Sequence, residues 1–288
     1  MGTKIETGSL AVFIPAFEGF RVFQDDLLKK LGGATLLQWA IDKAIALGVR
    51  NDNIYVLTDS EQIQLVSERS GVQVIPMGDC AQEITDPYRR FFGVTIEKFV
   101  GTSTLSLLLS PYSPLLKTET ITEACRALLD GEEEVLKPVQ KERHQFLKGD
   151  IQPLNEVLIR RNNQSHWMES NAFTLAKRSV FYGDLDKGVS VFPWEVGEDA
   201  FEISSRRDWW VCEKLVTRKR IIFRVVGNDQ VGMGHIYRAL SLAHEITDHE
   251  VLFISDTDNS VAVKELAGYD YWLGLYLPSE VIKKIGIK

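Results

Sequence analysis

The sequence has few cysteines and no long apolar run, and both absences exclude whole classes of protein. Its three cysteines, Cys80, Cys125 and Cys212, lie far apart and form no C-x-x-C pair, so neither a disulfide framework nor a zinc site is predicted. No stretch approaches the roughly 20 apolar residues of a membrane span, and the N-terminal segment MGTKIETGSL lacks the apolar core of a signal peptide. We therefore expect a cytoplasmic protein that does not enter a membrane.

The sequence also lacks an excess of positive charge. Its 33 Lys and Arg residues against 40 Asp and Glu give a net charge of -7 over 288 residues, which argues against a nucleic acid or an anionic membrane surface as the main partner. Small basic clusters at 160–161, 206–207 and 217–220 form either a local basic patch or solvated faces and a linker. A composition of 44% apolar and 25% charged residues is typical of a globular protein with a full core.

Residues 11–48 contain the clearest structural pattern. Four apolar residues, Ala11 to Ile14, predict a buried parallel strand that ends at Pro15. An irregular loop follows, and then apolar residues recur at helical spacing, at Leu36, Leu37, Ala40, Ile41, Ala44 and Ile45. Strand, loop and helix make half of a βαβ unit, and the loop at the carboxyl end of such a strand is where open α/β sheets bind nucleotides.

Further elements follow in the same alternating order. Strands are predicted at 53–57, 72–76, 104–109, 135–139 and 189–193, and helices from about 61 and over 206–216. Thr120 and Glu123 have the spacing of a capping box, which predicts a helix that begins there. We therefore expect an α/β fold with a mostly parallel sheet.

The opening segment resembles that of the acylneuraminate cytidylyltransferases, the CMP-sialic acid synthetase family. The resemblance is carried by Ile14-Pro15-Ala16 with Gly19, Arg21, Gly33, Leu36 and Leu37, by the segment 58–63, and by Ser110-Pro111-Tyr112-Ser113-Pro114; in order it covers residues 9–216. It implies a three-layer Rossmann-like nucleotide-diphospho-sugar transferase fold, a homodimer, and CTP and an acidic sugar as partners. The implied nucleotide-binding residues are Ala16, Phe17, Gly19, Arg21, Ser110 and Ser113.

The resemblance also implies a Mg²⁺ cofactor and a sugar site. The first position of the family's metal-binding D-x-D motif falls on Glu202 and the second on Ser204, and Asp199 lies just before them. Mg²⁺ prefers oxygen ligands, so Glu202 and Asp199 are the candidate metal ligands, although an acidic strand end with no metal explains them equally well. The candidate sugar-binding residues are Arg160, Arg161, Glu169 and Asn171, whose side chains match carboxylate, hydroxyl and amide groups.

A second module is predicted over 218–288, after a first domain over 1–217. A strand, a glycine-rich loop (GNDQVGMG), an amphipathic helix and another strand make a new βαβ start, that is, a partial Rossmann-like module. Gly232, Gly234, His235 and Arg238 resemble the first loop of the UDP-sugar hydrolase of pseudaminic acid biosynthesis and of related spore-coat polysaccharide proteins. Glycines there would let the backbone approach a phosphate, and the histidine would act as a base on water.

Three hypotheses about function follow. In the first, the chain transfers CMP from CTP to a nonulosonic acid sugar, with Arg21 and Glu202 as the catalytic residues. In the second, a degenerate cytidylyltransferase-like domain binds a nucleotide, a sugar or a partner enzyme, because Phe17, Phe20, Asp26, Leu27 and Ser204 stand where the family has charged or polar groups. In the third, the second module binds or hydrolyses a UDP-sugar through His235.

Overall fold

The structure is a computed structural model that describes residues 10–18, 21–77, 103–142, 166–178, 180, 190–225, 233–256, 260–269 and 271–276. The chain divides into two compact units, Met1–Val216 and Thr217–Lys288. Each unit has its own parallel strand pairs and its own buried apolar cluster. No helix in the described part of the chain is long and apolar enough to cross a membrane.

The first unit contains a large mixed sheet and four α-helices among its described residues. Its strands are β1 (Leu10–Pro15), β2 (Lys30–Leu31), β3 (Ala34–Thr35), β4 (Ile54–Thr58), β5 (Gln73–Pro76), β6 (Leu105–Leu109), β7 (Val135–Glu142), β8 (His166–Glu169), β9 (Phe173–Lys177) and β10 (Val191–Glu195). Its helices are α1 (Leu36–Ala46), α2 (Glu61–Arg69), α3 (Thr118–Asp130) and α4 (Arg206–Val216). The predicted strands are present with small shifts at their ends, and α4 has the predicted bounds.

Eight strands form the sheet in the order β10-β7-β9-β6-β1-β4-β5, with β8 paired to β7. The pairs β1 with β4, β1 with β6, β4 with β5 and β10 with β7 are parallel. β9 runs antiparallel between β6 and β7, and β8 is also antiparallel. The predicted α/β fold with a mostly parallel sheet is therefore confirmed.

The central strand β1 is apolar along its whole length because both of its faces are buried. Leu10, Val12 and Ile14 belong to one apolar cluster, and Ala11 and Phe13 belong to another on the opposite face. Successive side chains of a strand point to opposite faces, so a strand in this position needs a continuous apolar run. This is the physical reason why the run AVFI, Ala11 to Ile14, predicts a buried parallel strand.

Helix α1 begins where a short hairpin ends. Gly32 and Gly33 both have positive φ, 62° and 113°, and form the tight turn between β2 and β3. The Thr35 hydroxyl then accepts a hydrogen bond from the Gln38 amide at 3.1 Å, which caps the helix. The predicted apolar stripe is buried at every position except Ile45, which is exposed.

The start of helix α3 differs from the prediction. The helix begins at Thr118 rather than after Thr120, and its N-cap residue, Lys117, makes no side-chain capping bond. The Thr120 hydroxyl donates to Asp199 Oδ2 at 2.7 Å, and the Lys117 amide donates to the same oxygen at 3.2 Å. The predicted capping box is therefore wrong, since a carboxylate from a distant segment satisfies the start of this helix.

The second unit has a three-stranded parallel sheet in the order β11-β12-β13. Its elements are β11 (Arg220–Arg224), α5 (Gly234–Glu245), β12 (Glu250–Asp256), α6 (Ser260–Leu266) and β13 (Trp272–Tyr276). Ile236 and Leu240 of α5 pack against Phe253 of β12, which is fully buried. The predicted order of strand, helix and strand is present.

Candidate functional site

The carboxyl end of the central parallel strands gathers four loop segments of the first unit. β1 and β6 are parallel and in register, so the segments that follow them, from Ala16 and from Ser110, leave the same edge of the sheet. β9 is antiparallel to β6, with Phe173 opposite Leu109, and this brings the preceding residues 170–172 to that edge. β10 is parallel to β7, and the segment that follows β10 leaves the carboxyl end of that strand.

The two predicted catalytic residues contact each other at this edge. Arg21 Nη2 lies 2.6 Å from Glu202 Oε1, and the side chains are 36% and 18% exposed. Asn171 Nδ2 lies 3.4 Å from Glu202 Oε2 as a donor, and the Arg21 guanidinium carbon lies 4.9 Å from the ring centroid of Tyr112. The fold thus brings together a predicted phosphate ligand, a predicted metal ligand and a predicted sugar ligand that are far apart in sequence.

Asp26 is a buried carboxylate that holds the loop of Arg21 from inside. Its Oδ2 accepts hydrogen bonds from the amides of Arg21 and Val22 at 3.0 and 2.8 Å, and its Oδ1 accepts one from the Tyr112 hydroxyl at 2.8 Å. Only 1% of Asp26 is exposed. Burial, followed by the charge and hydrogen bond of Asp26, raises the pKa of Tyr112. The sequence does not predict this role; it shows only that Asp26 stands where the family that the chain resembles has a lysine.

Two further cations lie on one aromatic ring beside this loop. Lys29 Nζ is 5.1 Å from the ring centroid of Phe23, and the guanidinium carbon of Arg206 is 5.3 Å from it. The same ring makes an edge contact with Trp209 at 5.1 Å, which fixes it against α4. Within the described part of the chain, neither Lys29 nor Arg206 has an ion-pair partner.

The loop after β6 is held by a buried lysine that sequence reasoning did not select. Lys43 of α1 donates from Nζ to the carbonyl oxygens of Ser113 and Pro114 at 2.8 and 3.1 Å. Burial lowers the pKa of Lys43 to about 7, opposed by the nearby Asp199 and Cys212. No spacing rule could have found it, because a lysine on an apolar helix face is ordinarily read as an interruption of that face.

The predicted nucleotide-binding residues do not all face solvent. The Ala16 amide donates to the Leu57 carbonyl at 2.8 Å and extends the sheet, and Phe17 packs against the core. Ser110 is half-buried and accepts a hydrogen bond from the Tyr112 amide at 3.2 Å. Ser113 is buried, and its hydroxyl has no hydrogen-bond partner among the described residues. Gly19 lies outside the described residues.

The entrance of the loop is acidic. A small open pocket beside it is lined by Glu18, Asp25 and Asp26 among other residues. The Glu18 amide donates to Asp59 Oδ1 at 2.5 Å, which ties this loop to the end of β4. Carboxylates of the loop therefore line this pocket.

The candidate metal ligands have different surroundings. Asp199 is engaged at the start of α3, while Glu202 contacts Arg21 and Asn171. The described residues contain no group of three or more side chains that could hold a metal ion. Glu202 alone still fits Mg²⁺, because this ion is usually held by one or two carboxylates together with substrate phosphates. Ser204, at the second motif position, donates instead to Asp208 at 2.7 Å.

The other predicted site residues are scattered or not described. Glu169 forms an ion pair with Lys137 at 2.7 Å and is not brought to Glu202 by any described contact. Arg160, Arg161 and Gly232 lie outside the described residues. In the second unit, Gly234 begins α5, and His235 and Arg238 are exposed on its first turns.

Comparison with known proteins gives a fold but no family. No family model matches the sequence, and no curated protein matches it. A solved structure of CMP:2-keto-3-deoxy-manno-octonic acid synthetase complexed with CTP is similar, with a TM-score of 0.54 and 12% identity over 72% of this chain and 97% of that one. The 4-diphosphocytidyl-2C-methyl-D-erythritol synthase of Anaerococcus prevotii DSM 20548 has a TM-score of 0.53 and 12% identity, over 73% and 98%.

These similarities confirm the predicted Rossmann-like α/β fold, which the chain shares with both proteins. At 12% identity they show the fold alone. The narrower resemblance to acylneuraminate cytidylyltransferases, and that of the second module, stay predictions.

Proposed function

We propose that the chain transfers CMP from CTP to the hydroxyl of an acidic sugar and releases pyrophosphate. The contact between Arg21 and Glu202 carries this proposal. A phosphate-binding cation and a metal-binding carboxylate are expected close together in such an enzyme: Arg21 would bind phosphate oxygens, and Glu202 would hold a Mg²⁺ ion that neutralises phosphate charge. Their proximity at the carboxyl end of the central strands, on a fold shared with cytidylyltransferases, supports the proposal.

In the proposed reaction, the sugar oxygen attacks the α-phosphorus of CTP. The bond from that phosphorus to the oxygen bridging to the β-phosphate breaks, pyrophosphate leaves, and the hydroxyl proton passes to water. Arg21 donates hydrogen bonds to phosphate oxygens, and Asn171 orients the Glu202 carboxylate. Bound Mg²⁺ would supply neutralisation of phosphate charge at Glu202. Such transfers depend mainly on positioning and charge neutralisation. Arg21, Asn171 and Glu202 have the types of side chain that these two tasks require.

The ion pair has a consequence for nucleotide binding. Arg21 and Glu202 neutralise each other in the structure, and both are needed by Mg²⁺ and CTP. Binding of CTP with Mg²⁺ would therefore separate this ion pair, since Arg21 would donate to a phosphate and Glu202 would hold the metal. CTP affinity should consequently depend on Mg²⁺ more strongly than charge screening alone would give.

The test is calorimetric titration of the chain with CTP, with and without Mg²⁺, with UTP as the comparison nucleotide. We expect Mg²⁺-dependent and cytidine-selective binding, and pyrophosphate release when a nonulosonic acid is added. Glu202→Gln should weaken Mg²⁺-dependent CTP binding by roughly tenfold or more, since it removes the charge that holds the metal. Glu195→Gln, an exposed carboxylate on β10, is the matched control and should bind CTP like the unchanged chain. If neither nucleotide binds, the transferase proposal fails.

A second candidate is a non-catalytic domain that binds a nucleotide or a partner enzyme. Asp26 favours it, because the amides of Arg21 and Val22 donate inward to Asp26 Oδ2 in a loop that resembles a phosphate-binding loop. CTP binding without pyrophosphate release, over a panel of acidic sugars, would support this second candidate. The acidic sugar and the homodimer are supported by the sequence resemblance and stay predictions.

A further inference from the structure

Three cations reach the candidate site from two segments that lie side by side. Arg21 contacts Glu202, and two residues after Arg21 the ring of Phe23 carries Arg206, four residues after Glu202. Two contacts, Arg21 with Glu202 and Phe23 with Arg206, therefore join the segment 21–29 to the segment 202–206. Lys29 joins them on the ring of Phe23.

The ring of Phe23 explains how two like charges are kept together without an acidic partner. The face of an aromatic ring attracts a cation, and Lys29 and Arg206 lie within 5.3 Å of the same ring centroid. Trp209 of α4 makes a T-shaped contact with this ring, with the two centroids 5.1 Å apart, so the ring is packed against helix α4. Both cations are exposed, and in the described residues neither is neutralised by a carboxylate.

We propose that Lys29 and Arg206, held on Phe23, form with Arg21 a binding subsite for the polyphosphate tail of a nucleoside triphosphate and for its pyrophosphate product. The loop after β1 has aromatic and acidic residues, Phe17, Glu18 and Asp26, where a phosphate-binding loop needs positive charge. Arg206 restores that charge from the start of α4. The assignment to the triphosphate rests on the proposed function, whereas the affinity for polyphosphate does not.

A chain of phosphates fits this cluster better than a single anion does. The cations come from separate points of two segments, and Arg21 is already engaged with Glu202 while Lys29 and Arg206 have no described anionic partner. An extended ligand with several charged groups contacts all three at once, whereas one phosphate group contacts one or two. The subsite should therefore distinguish CTP from CMP.

The experiment titrates the full chain with inorganic tripolyphosphate, with CTP and Mg²⁺, and with CMP. The variants are Arg206→Gln, Lys29→Gln and the two combined, and the control is Arg207→Gln. Arg207 is the next residue of α4 and is also exposed, but it makes no described contact with Phe23. Each substitution should weaken tripolyphosphate and CTP binding by roughly 10-fold to 100-fold, while CMP binding and the control change by less than about twofold.

The outcomes separate this subsite from the proposed function. Tripolyphosphate binding that is lost in the variants, in a chain that does not bind CTP, would keep the subsite and reject the transferase. CTP binding that is unchanged in Arg206→Gln and Lys29→Gln would reject the subsite and keep the transferase. Absence of binding to both ligands, or an equal loss in Arg207→Gln, would overturn the subsite.

Discussion

At the residue scale, the charge of Asp26 is satisfied inside the protein. Two backbone amides and the Tyr112 hydroxyl donate to its two carboxylate oxygens, and almost none of it is exposed. A buried carboxylate with three donors is stable because each donor compensates part of its lost hydration. Asp26 therefore fixes the conformation of the loop that carries Arg21.

Replacing Asp26 with Asn should destabilise the first unit by about 1.5–3 kcal/mol, because an amide keeps only one acceptor oxygen for donors that now bind two. Urea unfolding followed by circular dichroism measures the change. The matched control is Asp25→Asn, since Asp25 is exposed and has a left-handed φ of 56° that Asn tolerates. The control should change stability by less than about 0.5 kcal/mol. Equal effects of the two substitutions would contradict the role given to Asp26.

The residues of the candidate site differ in how well they can be predicted from sequence. Arg21, Glu202 and Asn171 were selected because their types and order resemble those of a known family, and the fold brings them together. The contact between Asp26 and Tyr112 is not predicted, because a hydrogen bond between residues 86 positions apart leaves no spacing pattern in the sequence.

At the element scale, Lys43 joins helix α1 to the loop that follows β6. Its ammonium group is the donor for two carbonyl oxygens of that loop, and only 8% of the residue is exposed. Because burial lowers its pKa to about 7, the folded chain releases this proton at a lower pH than the unfolded chain, whose lysine has a pKa of 10.5. The stability that Lys43 contributes therefore rises with pH above about 7 and is smallest below it.

Replacing Lys43 with Met should remove this dependence. The free energy of unfolding of the unchanged chain minus that of Lys43→Met should rise between pH 7 and pH 9 by up to about 1.4 kcal/mol per pH unit. Urea unfolding at several pH values gives the difference directly. The control is Lys30→Met, an exposed lysine of β2, for which the difference should not vary with pH. A flat difference for Lys43→Met would show that the folded lysine keeps an ordinary pKa.

At the scale of the whole molecule, the two units have separate cores. Phe253 is the fully buried centre of the second unit, in contact with the rings of Phe223 and Tyr271, and it belongs to no cluster of the first unit. The first unit alone contains Arg21, Glu202, Lys29 and Arg206. Damage to the second core should therefore leave the candidate site intact.

Phe253→Ala should lower the stability of the second unit by about 3–5 kcal/mol, which is enough to unfold a small domain. In scanning calorimetry we expect the transition of the second unit to move or vanish, while the transition of the first unit and its binding of tripolyphosphate stay unchanged. Leu242→Ala, an exposed position of α5, is the control. A parallel shift of both transitions would show that the units unfold as one.

The sequence by itself determined the order of strands and helices, the burial of β1 on both faces, the bounds of α4 and the α/β fold, because apolar periodicity is a local property that the chain carries everywhere. Only the tertiary structure decided three contacts. Arg21 forms an ion pair with Glu202, Asp199 accepts hydrogen bonds at the start of α3 in place of a capping box, and Lys43 donates to the loop after β6. Each of these contacts joins segments that are far apart in the chain and that the fold brings together. Their partners depend on that geometry and not on spacing along the chain.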